Sequence, residues 1–229
     1  MSYLPAEPNV EDLGHSAASV PKLGADGRLG TIRRLAASES TLLFGHLQRL
    51  DPETRRMRFG SPVNDAFLQR YADFALGTDT LVKGLFVDGE LRGIAELRFL
   101  TGRSDEAEGA FSIERNFQGR GLGGRLFGRL LTAAKNRGIR RLYLTCLRDN
   151  RRMQAIARHY GAELSFVEGD AVAELTGQRP DAASIAQEWA EESEAFVFAM
   201  IEWRQQSALM LFEPLRRLAA NAGSVFSRL

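Results

Sequence analysis

A glycine-dense turn between a short apolar strand and an amphipathic helix is the feature that most constrains this chain. The helix after the turn repeats its apolar positions three and four residues apart. Glycines let backbone N–H groups approach an anion, and the first turn of a helix supplies unpaired donors at the positive end of its dipole. The sequence therefore predicts a phosphate-binding turn, formed by Gln118, Gly119, Arg120, Gly121, Leu122, Gly123 and Gly124.

Three phosphate-binding motifs compete for these glycines. A P-loop requires a lysine after its last glycine, and this turn has none. A dinucleotide fingerprint is matched by Gly119, Gly121 and Gly124, but in that fold the first glycine follows its strand almost directly, and here a polar link intervenes. The third motif is Gln-x-x-Gly-x-Gly, formed by Gln118, Gly121 and Gly123.

The third motif and the residues after it resemble the GNAT superfamily of acetyl-CoA-dependent N-acetyltransferases. A strand over 141–146, a helix opened by Asn150 and a glycine at 161 follow in the order typical of that family. Two further segments, Leu50 to Phe59 and Ala107 to Ile113, resemble the bacterial protein-lysine acetyltransferase branch. The resemblance covers about residues 28 to 175 and implies acetyl-CoA as cosubstrate and an amine as acceptor.

The resemblance also implies the fold class, an α/β (α+β) domain with a mixed, mostly antiparallel central sheet flanked by helices and a C-terminal helical extension. Asp88-Gly89 between two apolar runs is a strong hairpin signal, and a second hairpin is predicted around 168–170. A helix over Asn64 to Leu76 has an apolar side made of Phe67, Leu68, Tyr71 and Phe74.

Composition divides the chain into three parts. Residues 1–27 have no sustained periodicity and are expected to be a flexible leader, 28–178 form the acetyltransferase domain, and 179–229 form a helical extension. The extension carries an apolar stripe, which predicts burial against the domain. A homodimer surface or a lid over the substrate groove is the alternative. The stripe consists of Ile185, Trp189, Phe196, Met200 and Trp203.

Charge and cysteine usage exclude several classes of partner. The 229 residues are 44% hydrophobic and 26% charged, with a net charge of +1, so no broad basic surface for nucleic acid is expected. No apolar run approaches the roughly 20 residues that cross a bilayer. The single Cys146 and the lack of a secretory leader favour a cytoplasmic protein, and the scattered histidines predict no metal site.

Two glutamates are candidates for the general base that would take a proton from the amine. Glu108 matches the position of the glutamate that acts as base in GNAT protein-lysine acetyltransferases; without that resemblance, a glutamate at a strand end is more often simply solvated. Glu96, inside the apolar run Ile94 to Leu100, is the second candidate. Strand alternation alone would instead place Glu96 on an outward face.

The resemblance assigns further cofactor contacts. The backbone at Ser112 and Ile113 should pair with the pantetheine arm, which Asn150 and Met153 should flank from the next helix. Asn150 alone would be interpreted as a helix cap. Many members place a proton-donating Tyr where this chain has Ala157. Tyr160 could substitute only if the helix bends or ends early, and solvent can protonate the thiolate instead.

The acceptor class stays open in the sequence. The resemblance favours a protein lysine, with a small-molecule amine as the alternative. A different hypothesis is a catalytically silent module that senses CoA and contacts a partner through its extension.

Overall fold

The computed structural model describes residues 30–193, whose strands form one seven-stranded sheet. The strands are β1 Thr31–Arg34, β2 Thr80–Val87, β3 Glu90–Leu100, β4 Arg103–Ile113, β5 Arg141–Leu147, β6 Glu163–Val167 and β7 Asp170–Thr176. Their order is β1-β2-β3-β4-β5-β7-β6. Among the strands of residues 30–193, only β4 and β5 are parallel neighbours, which confirms the predicted mixed, mostly antiparallel sheet.

Helices cover both faces of this sheet. They are α1 Ser40–Arg49, α2 Pro52–Phe59, α3 Asp65–Ala75, α4 Leu122–Asn136 and α5 Arg151–His159, and the described chain ends in a further helix, α6, over 182–193. Side chains cap several of these helices: at α2, Asp51 accepts from the N–H of Thr54 (3.2 Å), and at α3, Asn64 accepts from the N–H of Phe67 (2.9 Å). Each cap satisfies a donor that the first helical turn leaves unpaired.

Two apolar cores hold the helices to the sheet. On one face, α4 buries Leu126, Phe127 and Leu130 against β2 to β5. On the other face, α1 and α3 bury Leu43 and Leu68 against β2 and β3. Each buried side chain of this size contributes roughly 2 kcal/mol. Helix α2 contacts β4 and β5, so it lies over this parallel pair.

The β2–β3 hairpin is confirmed. Asp88 (φ 55°) and Gly89 (φ 76°) form its two-residue loop between Val87 and Glu90. Both loop residues adopt the left-handed conformation that tight hairpins require. The second predicted hairpin, β6–β7, is also confirmed, with its loop at 168–169.

The predicted apolar side of α3 is wrong for Phe74, which is 79% exposed. The buried positions of this helix are Leu68, Ala72 and Ala75, spaced four and three residues apart. Two alanines complete the inward face because α3 packs closely on α1, and Phe74 therefore points away from it.

The extension docks on the domain through its acidic side. Lys83 of β2 is buried and pairs with Glu192 of α6 (2.8 Å), while Arg137 at the end of α4 pairs with Glu188 (2.9 Å). In contrast, Ile185 is 54% exposed and Trp189 is 74% exposed. The predicted burial of the apolar stripe is therefore wrong for these two residues, because basic groups on β2 and α4 attract the opposite side of the helix. The remaining stripe residues, Phe196, Met200 and Trp203, lie outside the described residues.

The leader, residues 1–27, also lies outside the described part of the chain, and the domain boundaries at 28 and 178 stay a prediction. Within residues 30–193, no helix is long and apolar enough to cross a bilayer. The same residues contain no grouping of His, Cys, Asp and Glu that could hold a metal ion.

Candidate active site

Strands β4 and β5 separate part-way along the sheet and leave a gap beside the middle of β4. They pair in parallel only from Glu106↔Arg141 to Glu108↔Tyr143. Beyond that point β4 continues to Ile113 with β3 as its partner on the other side. The gap is therefore wedge-shaped, and Glu108 lies at its apex.

The backbone of β4 directs alternate peptide groups into this gap. At its start, the C=O of Asp105 accepts from the N–H of Arg140 beside β5 (2.7 Å). Hydrogen-bonding directions alternate along a strand, so every second residue after Asp105 also faces β5. The residues that face the gap are Gly109, Phe111 and Ile113. An extended molecule that carries amide groups can pair with them without displacing a strand.

The glycine-dense turn lies at the open end of the gap. Gly119 (φ 74°) and Gly121 (φ 78°) are both left-handed, and α4 begins at Leu122 without a side-chain cap. The first-turn N–H groups of this 15-residue helix therefore remain available to an anion. Arg120, between the two glycines, is exposed and adds a positive charge to the turn.

Gln118 connects three elements around the turn through its side chain. Its amide nitrogen donates to the C=O of Ile113 (2.8 Å) and to the hydroxyl of Thr54 in α2 (3.2 Å). Its amide oxygen accepts from Arg152 of α5. The side chain of Gln118 therefore fixes the turn relative to β4, α2 and α5.

Helix α5 brings the remaining predicted cofactor residues to the same place. Asn150 caps this helix by accepting from the N–H of Met153 (3.2 Å), and Met153 packs against the α4 core. A Cβ on Gly123 would lie 3.2 Å from Ile156, so α5 touches the first turn of α4. The structure thus places β4, the turn and the start of α5 around one gap.

Tyr160 does not occupy the position of the missing proton donor. Helix α5 ends at His159, and the Tyr160 hydroxyl donates to the C=O of Gly124 in α4 (2.7 Å). A Cβ on Gly128 would lie 2.9 Å from that hydroxyl, so this glycine makes room for the ring. Burial raises the pKa of Tyr160. Ala157 itself is 1% exposed and belongs to the core.

Ser112 contributes its backbone to β4, but its side chain lies on the α1 side of the sheet. Its hydroxyl is 2.9 Å from Nε2 of His46, which is completely buried. Nδ1 of His46 is 3.4 Å from a carboxylate oxygen of Glu114. A carboxylate only accepts, so Nδ1 carries the proton and Nε2 accepts from Ser112. Burial lowers the pKa of His46 and keeps the ring neutral.

The negative charge of Glu114 is balanced by basic neighbours. Burial raises the pKa of this carboxyl, but hydrogen bonds from His46 and Arg49 outweigh burial and lower the pKa overall. Arg49 donates to one carboxylate oxygen (2.8 Å), and Arg92 donates to the other (3.0 Å). This carboxylate therefore holds α1 against β3 and β4.

Glu108 is exposed, and its carboxylate has no hydrogen-bond or ion-pair partner among residues 30–193. Its neighbours across the sheet are Arg98 on β3 and Tyr143 on β5, whose side chains leave the same face. Both oxygens of this carboxylate are thus free to accept a proton at the apex of the gap.

Glu96, the second candidate base, is 3% exposed, which makes the outward-facing interpretation wrong. One of its oxygens accepts from Arg58 (2.8 Å), and the other accepts from the hydroxyl of Tyr71. Burial is the main cause that raises the pKa of Tyr71 to about 12. Because both oxygens of Glu96 are engaged, its environment is that of a structural ion pair between α2, α3 and β3.

Sequence reasoning missed the groups that brace this site. His46 and Arg58 were not singled out, although each lies on an amphipathic helix at a position that the helix buries. Arg56 of α2 also donates to Asp149 in the β5–α5 loop (2.7 Å), and this ion pair connects α2 to the start of α5. A charged residue at a buried helical position is the only signal in the sequence, and it names no partner.

Comparison with known proteins identifies this arrangement. The family model described as "Acetyltransferase (GNAT) family" matches residues 47–162, which include α2, the gap, the turn and α5. The chain belongs to the GNAT acetyltransferase family. GNAT acetyltransferases use acetyl-CoA, which carries a diphosphate and an amide-bearing arm.

Solved structures share this GNAT fold. The GNAT domain of Streptomyces lividans PAT is 24% identical, with a TM-score of 0.58, over 67% of this chain and 94% of that one. The ribosomal-protein-S18-alanine N-acetyltransferase from Escherichia coli is 18% identical, with a TM-score of 0.53, over 67% and 97%. The PaiA N-acetyltransferase from Thermoplasma acidophilum, in complex with coenzyme A, is 17% identical, with a TM-score of 0.50, over 65% and 99%.

Proposed function

We propose that this protein transfers an acetyl group from acetyl-CoA to the side-chain amine of a protein lysine, with Glu108 as the general base. The observation that carries the proposal is the carboxylate of Glu108, which has no partner among residues 30–193 and lies where β4 and β5 separate. A base needs an accessible oxygen to accept a proton, whereas the competing carboxylate of Glu96 is buried and already accepts from Arg58 and Tyr71.

The cosubstrate would bind along the gap. The amides of the pantetheine arm would pair with the gap-facing peptide groups of Phe111 and Ile113, on either side of Ser112, while Asn150 and Met153 would line the opposite side. The diphosphate would lie against the N–H groups of the turn, with Arg120 supplying a charge-assisted contact. The whole set around the diphosphate is Gln118, Gly119, Arg120, Gly121, Leu122, Gly123 and Gly124.

Acetyl transfer requires the protein to position the amine against the thioester and to remove a proton from the amine. The neutral amine nitrogen attacks the thioester carbonyl carbon, the carbon–sulfur bond breaks, and the amine proton passes to Glu108 directly or through one water. The CoA thiolate leaves and takes a proton from solvent, because position 157 is alanine and the Tyr160 hydroxyl is bonded to Gly124.

The acceptor class is tested by incubating the full chain with acetyl-CoA and either lysine-containing proteins or a panel of small amines, followed by mass spectrometry of the acceptors. Acetyl-lysine in the protein samples is the expected result. Turnover only on small amines would move the assignment to a small-molecule N-acetyltransferase. CoA binding without turnover on any acceptor would favour the silent sensor.

A further inference from the structure

A groove of about 620 Å³ lies between α3, the start of β2 and the end of β3. Arg98 lines this groove and is the direct cross-strand neighbour of Glu108. Directly opposed residues on antiparallel strands have Cβ atoms about 4.5–5.5 Å apart, and their side chains leave the same face. The groove therefore opens next to the apex at which the amine would react.

The groove wall on α3 is aromatic. Phe67, Tyr71 and Phe74 line it, and the rings of Phe67 and Tyr71 stack with centroids 6.1 Å apart. The Tyr71 hydroxyl donates to the buried Glu96, which fixes this wall before any ligand arrives. Phe74 is 79% exposed and Phe67 is 37% exposed, so substantial apolar surface faces solvent here.

The charged residues of the groove favour an acidic occupant. Arg70 and Arg98 line it, and neither has an ion-pair partner within the described part of the chain. Asp79 is the only acidic residue among the lining residues, so the net charge of the lining is positive. Exposed arginines beside aromatic rings are enriched in protein–protein interfaces, from which Lys and Glu are depleted.

We infer that this groove binds the segment of an acceptor protein next to its target lysine, and that it selects a segment carrying acidic and aromatic side chains. This inference rests on the proposed lysine acetylation. The acidic side chain pairs with Arg98 and Arg70, the aromatic side chain packs on Phe74 and Phe67, and the lysine amine then lies at Glu108.

Peptide binding tests the groove separately from turnover. Two labelled peptides are compared by fluorescence anisotropy on the full chain saturated with CoA: a lysine flanked on both sides by Glu and Phe, and the same peptide with Gln for each Glu. The wild type should bind the Glu peptide about tenfold more tightly, the effect of one charge-assisted contact. Arg98→Gln combined with Arg70→Gln should remove this preference.

Two matched variants sharpen the result. Phe74→Ala removes a side chain that is mostly exposed, so it should keep the fold and weaken both peptides about tenfold while the Glu preference persists. Arg179→Gln makes the same charge change at an exposed residue outside the groove and should leave both affinities unchanged.

Equal affinities of the wild type for both peptides, or a Glu preference that survives the double arginine substitution, would overturn the inference. Displacement of the Glu peptide by a free carboxylated arylalkylamine at equal concentration would assign the groove to a small molecule instead. Binding with the expected preference but without acetylation would leave the groove established and refute the proposed lysine acetylation. Acetylation of peptide lysines without the Glu preference would support the proposed lysine acetylation and refute the role of the groove.

Discussion

Two glutamates on adjacent strands of one sheet face have opposite environments. Glu96 is buried and gives both oxygens to Arg58 and Tyr71, whereas Glu108 is exposed and unpartnered among residues 30–193. A carboxylate in the first environment contributes to stability, and one in the second can exchange a proton with a ligand. Their sequence contexts alone did not separate these roles, because both follow the same alternation.

The buried His46 makes stability depend on pH. Its folded-state pKa is lowered by burial, so the unfolded chain binds the proton more tightly. The contribution of this group to stability is complete above its unfolded pKa of about 6.5 and is lost as pH falls below that value toward the folded pKa. Urea unfolding at pH 7.5 and pH 5.5 should show the wild type less stable at the lower pH.

The control for this dependence is His46→Gln. Glutamine keeps hydrogen-bonding groups near Ser112 and Glu114 but does not titrate, so the variant should lose about 1–3 kcal/mol at pH 7.5 and show a smaller further loss at pH 5.5. An identical pH dependence in wild type and variant would show that His46 is not the responsible group.

At the scale of elements, the turn before α4 depends on glycines with positive φ. Gly121→Ala forces an alanine into φ 78° and should cost about 1–2 kcal/mol of stability. It should also weaken CoA binding about tenfold, because the N–H groups of the turn shift from their anion-binding positions. Calorimetric titration with CoA measures this loss.

Gly138→Ala is the matched control for the turn. Gly138 also has a positive φ (75°) and open space around its Cβ position, but it lies at the other end of α4. Both variants should lose similar stability, and only Gly121→Ala should lose CoA affinity. Equal CoA affinities in the two variants would contradict a role of the turn in binding the diphosphate.

The helices and strands themselves were largely predictable from the sequence, whereas the side-chain contacts that hold them together were not. Periodicity and turn residues located the β2–β3 and β6–β7 hairpins and the turn before α4, because these signals are local in the chain. The separation of β4 from β5 was not predicted, because it depends on pairing between distant parts of the chain. The contacts of His46 with Ser112 join residues 66 apart, and no local pattern encodes such a pair.

At the scale of the whole molecule, α6 reverses the usual rule that an apolar stripe is buried. Acidic side chains at and before α6 pair with the buried Lys83 and with basic residues at the C-terminal end of α4. Those basic residues are also stabilised by the negative end of the α4 dipole. Sequence periodicity cannot show that Lys83 leaves a charge on the docking surface. The exposed Ile185 and Trp189 are the consequence.

Paired substitutions on α6 test this docking. Glu188→Ala removes the acceptor for Asn136 and Arg137 and should lower the free energy of unfolding by about 1–3 kcal/mol. Trp189→Ala, one residue away and 74% exposed, should change it by less than about 0.5 kcal/mol. Urea unfolding of both variants gives the comparison, and a larger loss for Trp189→Ala would show that the helix docks through its aromatic side.

The most direct test of Glu108 as the base is the rate of thiol release from acetyl-CoA with a saturating amine acceptor. Glu174→Gln is the control, since Glu174 is exposed on the same sheet face two strands away. Glu108→Gln should lower kcat by about 10²–10⁴-fold with CoA affinity unchanged, and Glu174→Gln should stay within about twofold of wild type. A Glu108→Gln enzyme that keeps more than about a tenth of the wild-type kcat would contradict the account.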